Sequence, residues 1–280
     1  MLLGLLFSLA VVLSDSSATE GVSPAPAKIA QSGPPPTLEV DAAAERELLA
    51  LTNRARARAD LPPLQLDSTL IRLAREHATV MAAHQQLAHQ FSGEPDLARR
   101  LGAVELYLDE AAENVAAADS ADRAHDGLMN SAPHRENLLH PAYNIAGFGV
   151  VRLGSTLYVV EDFGHSLPIY SSQQAAEIVA TSVSQARRDA HLASLQRRDG
   201  NSLQADACAI GRGNLVRTSA TPPPQSRYIY RYTAMQPQAL PSITGRAIAD
   251  GGIRAFAVGA CFSRSDRYPD GVYSMMLVFY

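Results

Sequence analysis

The chain has no tryptophan, only two cysteines in 280 residues, and no excess of positive charge: 24 Lys plus Arg stand against 28 Asp plus Glu, a net charge of -4. Each shortage excludes something. Without an overall positive field, nothing draws in a polyanion, so nucleic acid is not expected as the principal ligand. Without tryptophan, the most frequent aromatic platform for sugars or exposed bases is missing, although ten Tyr and seven Phe remain. The sequence also lacks a G-x-S-x-G elbow, an H-E-x-x-H zinc-protease helix and a Walker loop. Gly147-x-Gly149 is not followed by the helix that a dinucleotide site requires. What is present is ordinary globular composition, 46% hydrophobic and 19% charged, at a length that suggests two domains.

The N-terminal run Leu2–Leu13 is apolar and twelve residues long. That is the length of a signal-peptide core and short of the ~20 residues of a membrane span. Small residues at Ser16-Ser17-Ala18 suit cleavage, so residues 1–18 are expected to be a signal peptide, although no Lys or Arg precedes the run. The mature protein is then extracellular or periplasmic, with no transmembrane domain. No Cys follows the run to take a lipid anchor. Residues 19–40, with Pro24, Pro26, Pro34, Pro35 and Pro36, read as a Pro-rich linker. In an exported chain, Cys208 and Cys261 are expected to form one disulfide, the alternative being two buried thiols.

Leu48, Leu51, Thr52, Ala55 and Ala59 recur at helical spacing over Glu47–Asp60, with Arg54, Arg56 and Arg58 pointing elsewhere, until Leu61-Pro62-Pro63 stops the helix. Asp67-Ser68 caps a second helix whose buried stripe reads Leu70, Leu73, Ala74, His77, Met81 and His84. A third is expected over Ala121–Asn130. Asn144–Val151 and Thr156–Phe163 then form a hairpin around a Gly-containing turn. Helices followed by an antiparallel sheet imply a layered α+β domain over 41–168. A second, smaller α+β domain follows over 169–280. It reads as a degenerate repeat, because Ala55, Arg56, Leu61, Leu64 and Gln65 match Ala186, Arg187, Leu192, Leu195 and Gln196 at a constant offset of 131. With two extra residues, Leu70 and Ala74 match Leu203 and Ala207. Chance similarity between amphipathic helices is the alternative.

The stretch from Gln86 to Phe163 carries the polar motifs LAHQ, AAENVA and LMNSAPHRENLL. Two imidazoles and a carboxylate around one cleft could hold zinc, shuttle a proton, or form a structural network. With the opening block LLALTNRARARADLPPLQLDSTLIRLAREHA and the closing GFGVV and YVVEDF, these motifs resemble the CAP superfamily in its bacterial secreted branch. This family includes cysteine-rich secretory, antigen 5 and pathogenesis-related proteins. The resemblance covers about 44–163 and implies an α-β-α sandwich whose groove carries two His and two acids. Matched position by position, the groove histidines fall on His89 and His134 and one acid on Glu113, with Asn137 lining the groove beside them. At the fourth position stands Ser131; Asp126 and Glu136 are nearby substitutes. Ala112 replaces the Gly that usually precedes Glu-Asn.

No cofactor is required by this reading; His89 and His134 could hold a divalent metal such as zinc weakly. The expected function is binding of a small lipidic or cell-wall-derived ligand, or a partner segment, without turnover. The alternative is a metal-assisted hydrolase with Glu113 as general base and His134 and His89 as ligands or proton carriers. Residues 169–280 are expected to serve structure or a protein partner; a surface adhesion scaffold using both domains is a third reading. His77 and His84 read as packing residues, and His125, His140, His165 and His191 as surface or capping groups. Arg135 is expected to pair with Glu110 or Asp109. An imidazole of His89 or His134 beside Glu113 should favour its protonated form.

Overall fold

A computed structural model describes residues 37–212 and 223–280. The expected signal peptide and most of the Pro-rich linker lie outside these residues. Two compact units divide between Ser166 and Leu167. Among the described residues no helix is long and apolar enough to cross a membrane.

In the first unit, the linker expected to reach residue 40 gives way to a short strand β1 (Glu39–Val40), which pairs antiparallel with Arg152 and Val151. The Asp41 side chain then caps α1 (Ala42–Arg58) by accepting from Ala44 N–H. Leu48, Thr52 and Ala55 are buried as the spacing predicts, but Arg56, expected to point away, is fully buried too. Its guanidinium donates to the carbonyls of Pro62, Leu138, His140 and Tyr143 at 2.9–3.0 Å, tying α1 to the turn after it and to the end of α5 with the loop that follows. After β2 (Gln65–Leu66), Asp67 accepts from Thr69 and Leu70 N–H and starts α2 (Ser68–His84). The buried stripe holds from Leu70 to Met81 but not at His84, which is exposed and stacks on Phe91 at 4.5 Å.

A short helix α3 (Leu97–Gly102) leads into β3 (Leu108–Ala118), α4 (Ala121–Asn130) and α5 (Ala132–Leu138). The hairpin of β4 (Ile145–Leu153) and β5 (Thr156–Ser166) closes the unit. The sheet runs β1-β4-β5-β3, with β2 parallel to β4. Side chains alternate across it. Ala112, Phe148, Val159 and Phe163 face α1, α4 and α5, while Ala111, Val151 and Val160 face α2 and α3. The result is an α-β-α sandwich. Gly147 and Gly149 let α2 lie against β4: a Cβ on either would stand 2.2 Å from the backbone of Leu70 or Ala74. They have a packing role, as their place inside a hairpin suggests.

The second unit is α+β as well: α6 (Ser172–Asp189), β6 (Gln196–Arg197), α7 (Asn201–Gly211), β7 (Tyr228–Ala234), α8 (Gly245–Ala249), β8 (Ala255–Ser265) and β9 (Tyr268–Phe279). Its sheet order is β6-β8-β9-β7, with β6 parallel to β8 and the other pairs antiparallel. Strand for strand this repeats β2-β4-β5-β3. Arg187 is buried like Arg56 and donates to the carbonyls of Ala193, Ile248 and Asp250. Gly259 lets α7 approach β8, a Cβ there standing 2.4 Å from the backbone of Leu203.

Cys208 on α7 and Cys261 on β8 form a disulfide across a sequence separation of 53. Replacing both with Ser should lower the second unit's stability by roughly 4 kcal/mol on chain-entropy grounds. Calorimetry of the full chain with and without reductant checks this; unchanged unfolding would mean the bond adds no constraint.

Candidate functional site

The acid of the AAENVA motif sits on β3, the outer strand of the first unit's sheet, where side chains alternate between the two faces. Glu113 and its cross-strand partner Asp162 therefore point to the α2 and α3 side, while Asn114 and its partner Glu161 point to the α4 and α5 side. Four polar residues thus occupy the middle of a sheet that is otherwise apolar, and all four are buried.

On the first face, Glu113 Oε1 lies 2.9 Å from His89 Nδ1, and its Oε2 accepts from Arg100 Nη2 at 2.6 Å. His77 sits behind them, its Nε2 3.9 Å from Glu113 and 2.8 Å from the Ala88 carbonyl, its Nδ1 2.7 Å from Glu94. Burial alone would raise the Glu113 carboxyl, but the His89 hydrogen bond and the Arg100 charge outweigh it and hold the group below its ordinary value. Asp162 beside it is fully enclosed; burial and the Glu113 charge push its carboxyl well above the usual range, with Arg100 only partly offsetting. A hydrogen bond to the Glu113 carboxylate, which the protonated Asp162 carboxyl donates, raises it further.

On the second face, the Asn114 amide donates to the His134 carbonyl at 3.1 Å and to Glu161 at 3.2 Å, while Asn137 donates to Asn114 at 2.9 Å. Burial pushes the Glu161 carboxyl up to about 8, against the Asn114 hydrogen bond. His134, in the first turn of α5, has its Nδ1 2.8 Å from Ser131 Oγ. Its imidazole is held below its ordinary value by burial and by repulsion from His89. That reverses the expectation of a favoured imidazolium at His134: the ring meets a hydroxyl and a neighbouring imidazole, not Glu113.

The structure thus joins His89 directly to Glu113 and brings His134 within electrostatic reach of His89. Each ring is oriented through Nδ1, and neither Nε2 has a hydrogen-bond partner among the described residues. Asn137 is a buried support for Asn114 rather than a groove wall. Asp126 and Glu136, considered for the fourth acid, are exposed. Arg135 donates to the Met129 carbonyl, and the acids expected to hold it meet His140 and His165 instead. His125 is buried, not a surface group, since α4 turns it inward with Ala124 and Leu128.

The donor set does not fit a metal ion. Both Glu113 oxygens are engaged, one by a guanidinium that would repel a cation, which leaves two imidazoles where a zinc site needs at least three protein ligands. No group of three or more His, Cys, Asp or Glu side chains among the described residues could hold one. Sequence reasoning missed Arg100, Glu161 and Asp162. The last two had a signal, a pair of acids inside the apolar run of β5; Arg100 had none.

Strand register permits a comparison of the two units. Gln65 pairs with Ile145 and Gln196 with Ala255, which aligns the two hairpins. Carried across the ladders, Glu113, Asn114, Glu161 and Asp162 correspond to Ile229, Tyr230, Leu277 and Val278. The second sheet is built without the polar quartet.

Residues 49–163 match the family model of the cysteine-rich secretory protein (CAP) family. The uncharacterized protein YkwD of Bacillus subtilis (strain 168) is 33% identical over 115 residues, 40% of this chain and 44% of that protein. The chain therefore spans less than half the length of this curated relative. Among solved structures, an extracellular SCP-domain protein of Bacillus anthracis str. Ames is 29% identical, covering 44% of this chain and 40% of that one with a TM-score of 0.40. An outer surface protein of Borrelia burgdorferi is 18% identical, covering 47% and 99% with a TM-score of 0.44.

Proposed function

From the premise that residues 49–163 form a CAP domain of the bacterial type, we propose that the protein acts outside the cytoplasm and binds a small lipidic or cell-wall-derived molecule, or a partner segment, at the His89–Glu113–His134 site without turning it over. The observation that carries this reading is the replacement of all four buried polar residues by Ile, Tyr, Leu and Val in the second unit. A fold that closes without them keeps them in one unit for something other than packing. The second unit, with the same strand pairing and the same buried arginine, is a degenerate copy of the first.

Binding suits the electrostatics better than hydrolysis does. A general base works best poised near neutral pH, whereas Glu113 is ionised, buried and clamped by Arg100. Its remaining effect is to orient His89. An ionised carboxylate can only accept, so Nδ1 carries the ring proton while Glu113 is charged.

The test is capture. The purified protein, incubated with lipid and wall extracts and washed, should retain a molecule identified by mass spectrometry. His89→Ala and His134→Ala should each reduce retention about tenfold or more while unfolding near the parent temperature. Retention of nothing by the parent chain, or equal retention by both variants, rejects the proposal.

A further inference from the structure

Residues 85–96, between α2 and α3, form neither helix nor strand, yet they carry His89 into the site. Irregular chain presents a side chain in one place only where its backbone is tied down. Here the tie is a single ring. His77, fully buried on α2, has its Nε2 2.8 Å from the Ala88 carbonyl, one residue before His89. Its Nδ1 lies 2.7 Å from Glu94 Oε1, near the far end of the same segment. Glu94 extends the hold: its other oxygen accepts from Phe91 N–H at 3.0 Å, and its carbonyl accepts from the Gln90 amide at 2.8 Å. The stretch from Ala88 to Glu94 is thereby gathered around one imidazole.

Hydrogen-bond chemistry assigns both ring nitrogens. A carbonyl can only accept, so Nε2 donates to Ala88; an ionised carboxylate can only accept, so Nδ1 donates to Glu94. A ring that donates twice is a cation, and its surroundings suit one. Glu94 faces it from the segment and Glu113 faces it from β3, 3.9 Å from Nε2. The opposing charge is Arg100 on α3, itself drawn to Glu113, to Asp162 on β5 and to Glu94. Packing alone would be met by a leucine or phenylalanine, with no charge to desolvate. The second unit fits that view: built without the polar quartet, it has no histidine on α7, the helix that follows β6 as α2 follows β2.

We propose that His77 is the positioning residue of the histidine site: donating from both ring nitrogens, it clasps Ala88 and Glu94 and so holds His89 against Glu113. The clasp serves function only through the binding role proposed for His89, but its test reads the free full-length chain, so either can fail without the other. Nitrogen-15 NMR should show both His77 ring nitrogens protonated. In Glu94→Gln the new amide can donate to Nδ1 and its oxygen can still accept from Phe91 N–H, so only Nε2 should remain protonated and the Phe91 amide should exchange as in the parent. His77→Phe fills the space without donors. It should speed hydrogen exchange of the Phe91 amide about tenfold or more, leave the Val160 amide of the sheet unchanged, and erase the Nδ1-protonated signature of His89. A bare nitrogen on His77 in the parent chain, or parent-like Phe91 exchange and His89 signals in His77→Phe, overturns the proposal. His77→Phe should also retain about tenfold less from lipid and wall extracts. Full retention by a chain whose His89 has left Glu113 overturns the positioning role even where the clasp itself is seen.

Discussion

Glu161→Gln is expected to stabilise the first unit, and to do so only above acidic pH. Glu161 is fully buried at the centre of β5, with one oxygen accepting from Asn114 and the other without a partner. Burial raises its carboxyl from an ordinary 4.5 to about 8. Below both values the folded and unfolded chains both hold the proton, and the group costs nothing. As pH rises past 4.5 the unfolded chain releases its proton while the folded chain keeps it, so stability falls until the folded carboxyl also ionises near 8. Each tenfold difference in proton affinity between the two states is worth ~1.4 kcal/mol, so the loss approaches about 4 kcal/mol at that upper end. A neutral glutamine of nearly the same shape removes it. Calorimetry should show an unfolding temperature raised by on the order of 10 °C at pH 8 and almost unchanged at pH 4. Equal effects at both pH values would mean that Glu161 is not proton-linked to folding.

Helices α1, α2 and α4 and the β4–β5 hairpin are legible in the sequence because they rest on local signals, whereas the short helices α3 and α5 are not. Asp67 caps α2, the Leu61-Pro62-Pro63 segment ends α1, and Gly154 adopts the left-handed conformation at the hairpin turn. The contact between His89 and Glu113 is legible only through the motif resemblance, since 24 residues separate the two on different segments. Arg100 is not legible at all, because nothing in LARRLG distinguishes the buried arginine from its exposed neighbour Arg99. Arg56 departs from its expected exposure for a related reason: three of its four carbonyl acceptors, Leu138, His140 and Tyr143, lie more than 80 residues away and are brought to it only by the tertiary fold. The same lack of local signal explains Asp126 and Glu136, which are near His134 in sequence yet turned to solvent on the outer faces of α4 and α5. Periodicity identifies which faces are buried; it does not identify which charges a buried face will tolerate.

The cost of that tolerance separates function from architecture. Glu113→Ile alone should destabilise the first unit by about 3–5 kcal/mol, because it strands the buried Arg100 guanidinium beside Asp162 without its hydrogen-bonded partner. Arg100→Met, Glu113→Ile and Asp162→Val together should instead leave stability unchanged or raise it by roughly 1–4 kcal/mol, since a buried ionic network and an apolar replacement of similar volume are close to even. Ile and Val are the residues that the second unit places at the last two positions in the same strand pairing, Val278 buried and Ile229 half-buried. The two outcomes must be measured on one chain by denaturant unfolding followed through the first unit. If the triple variant is as unstable as Glu113→Ile, the ionic cluster is structural and its absence from the second unit reflects different packing. If the triple variant is stable and captures no ligand, the carboxylate that orients His89 is kept for recognition, at a thermodynamic cost that the second unit has shed.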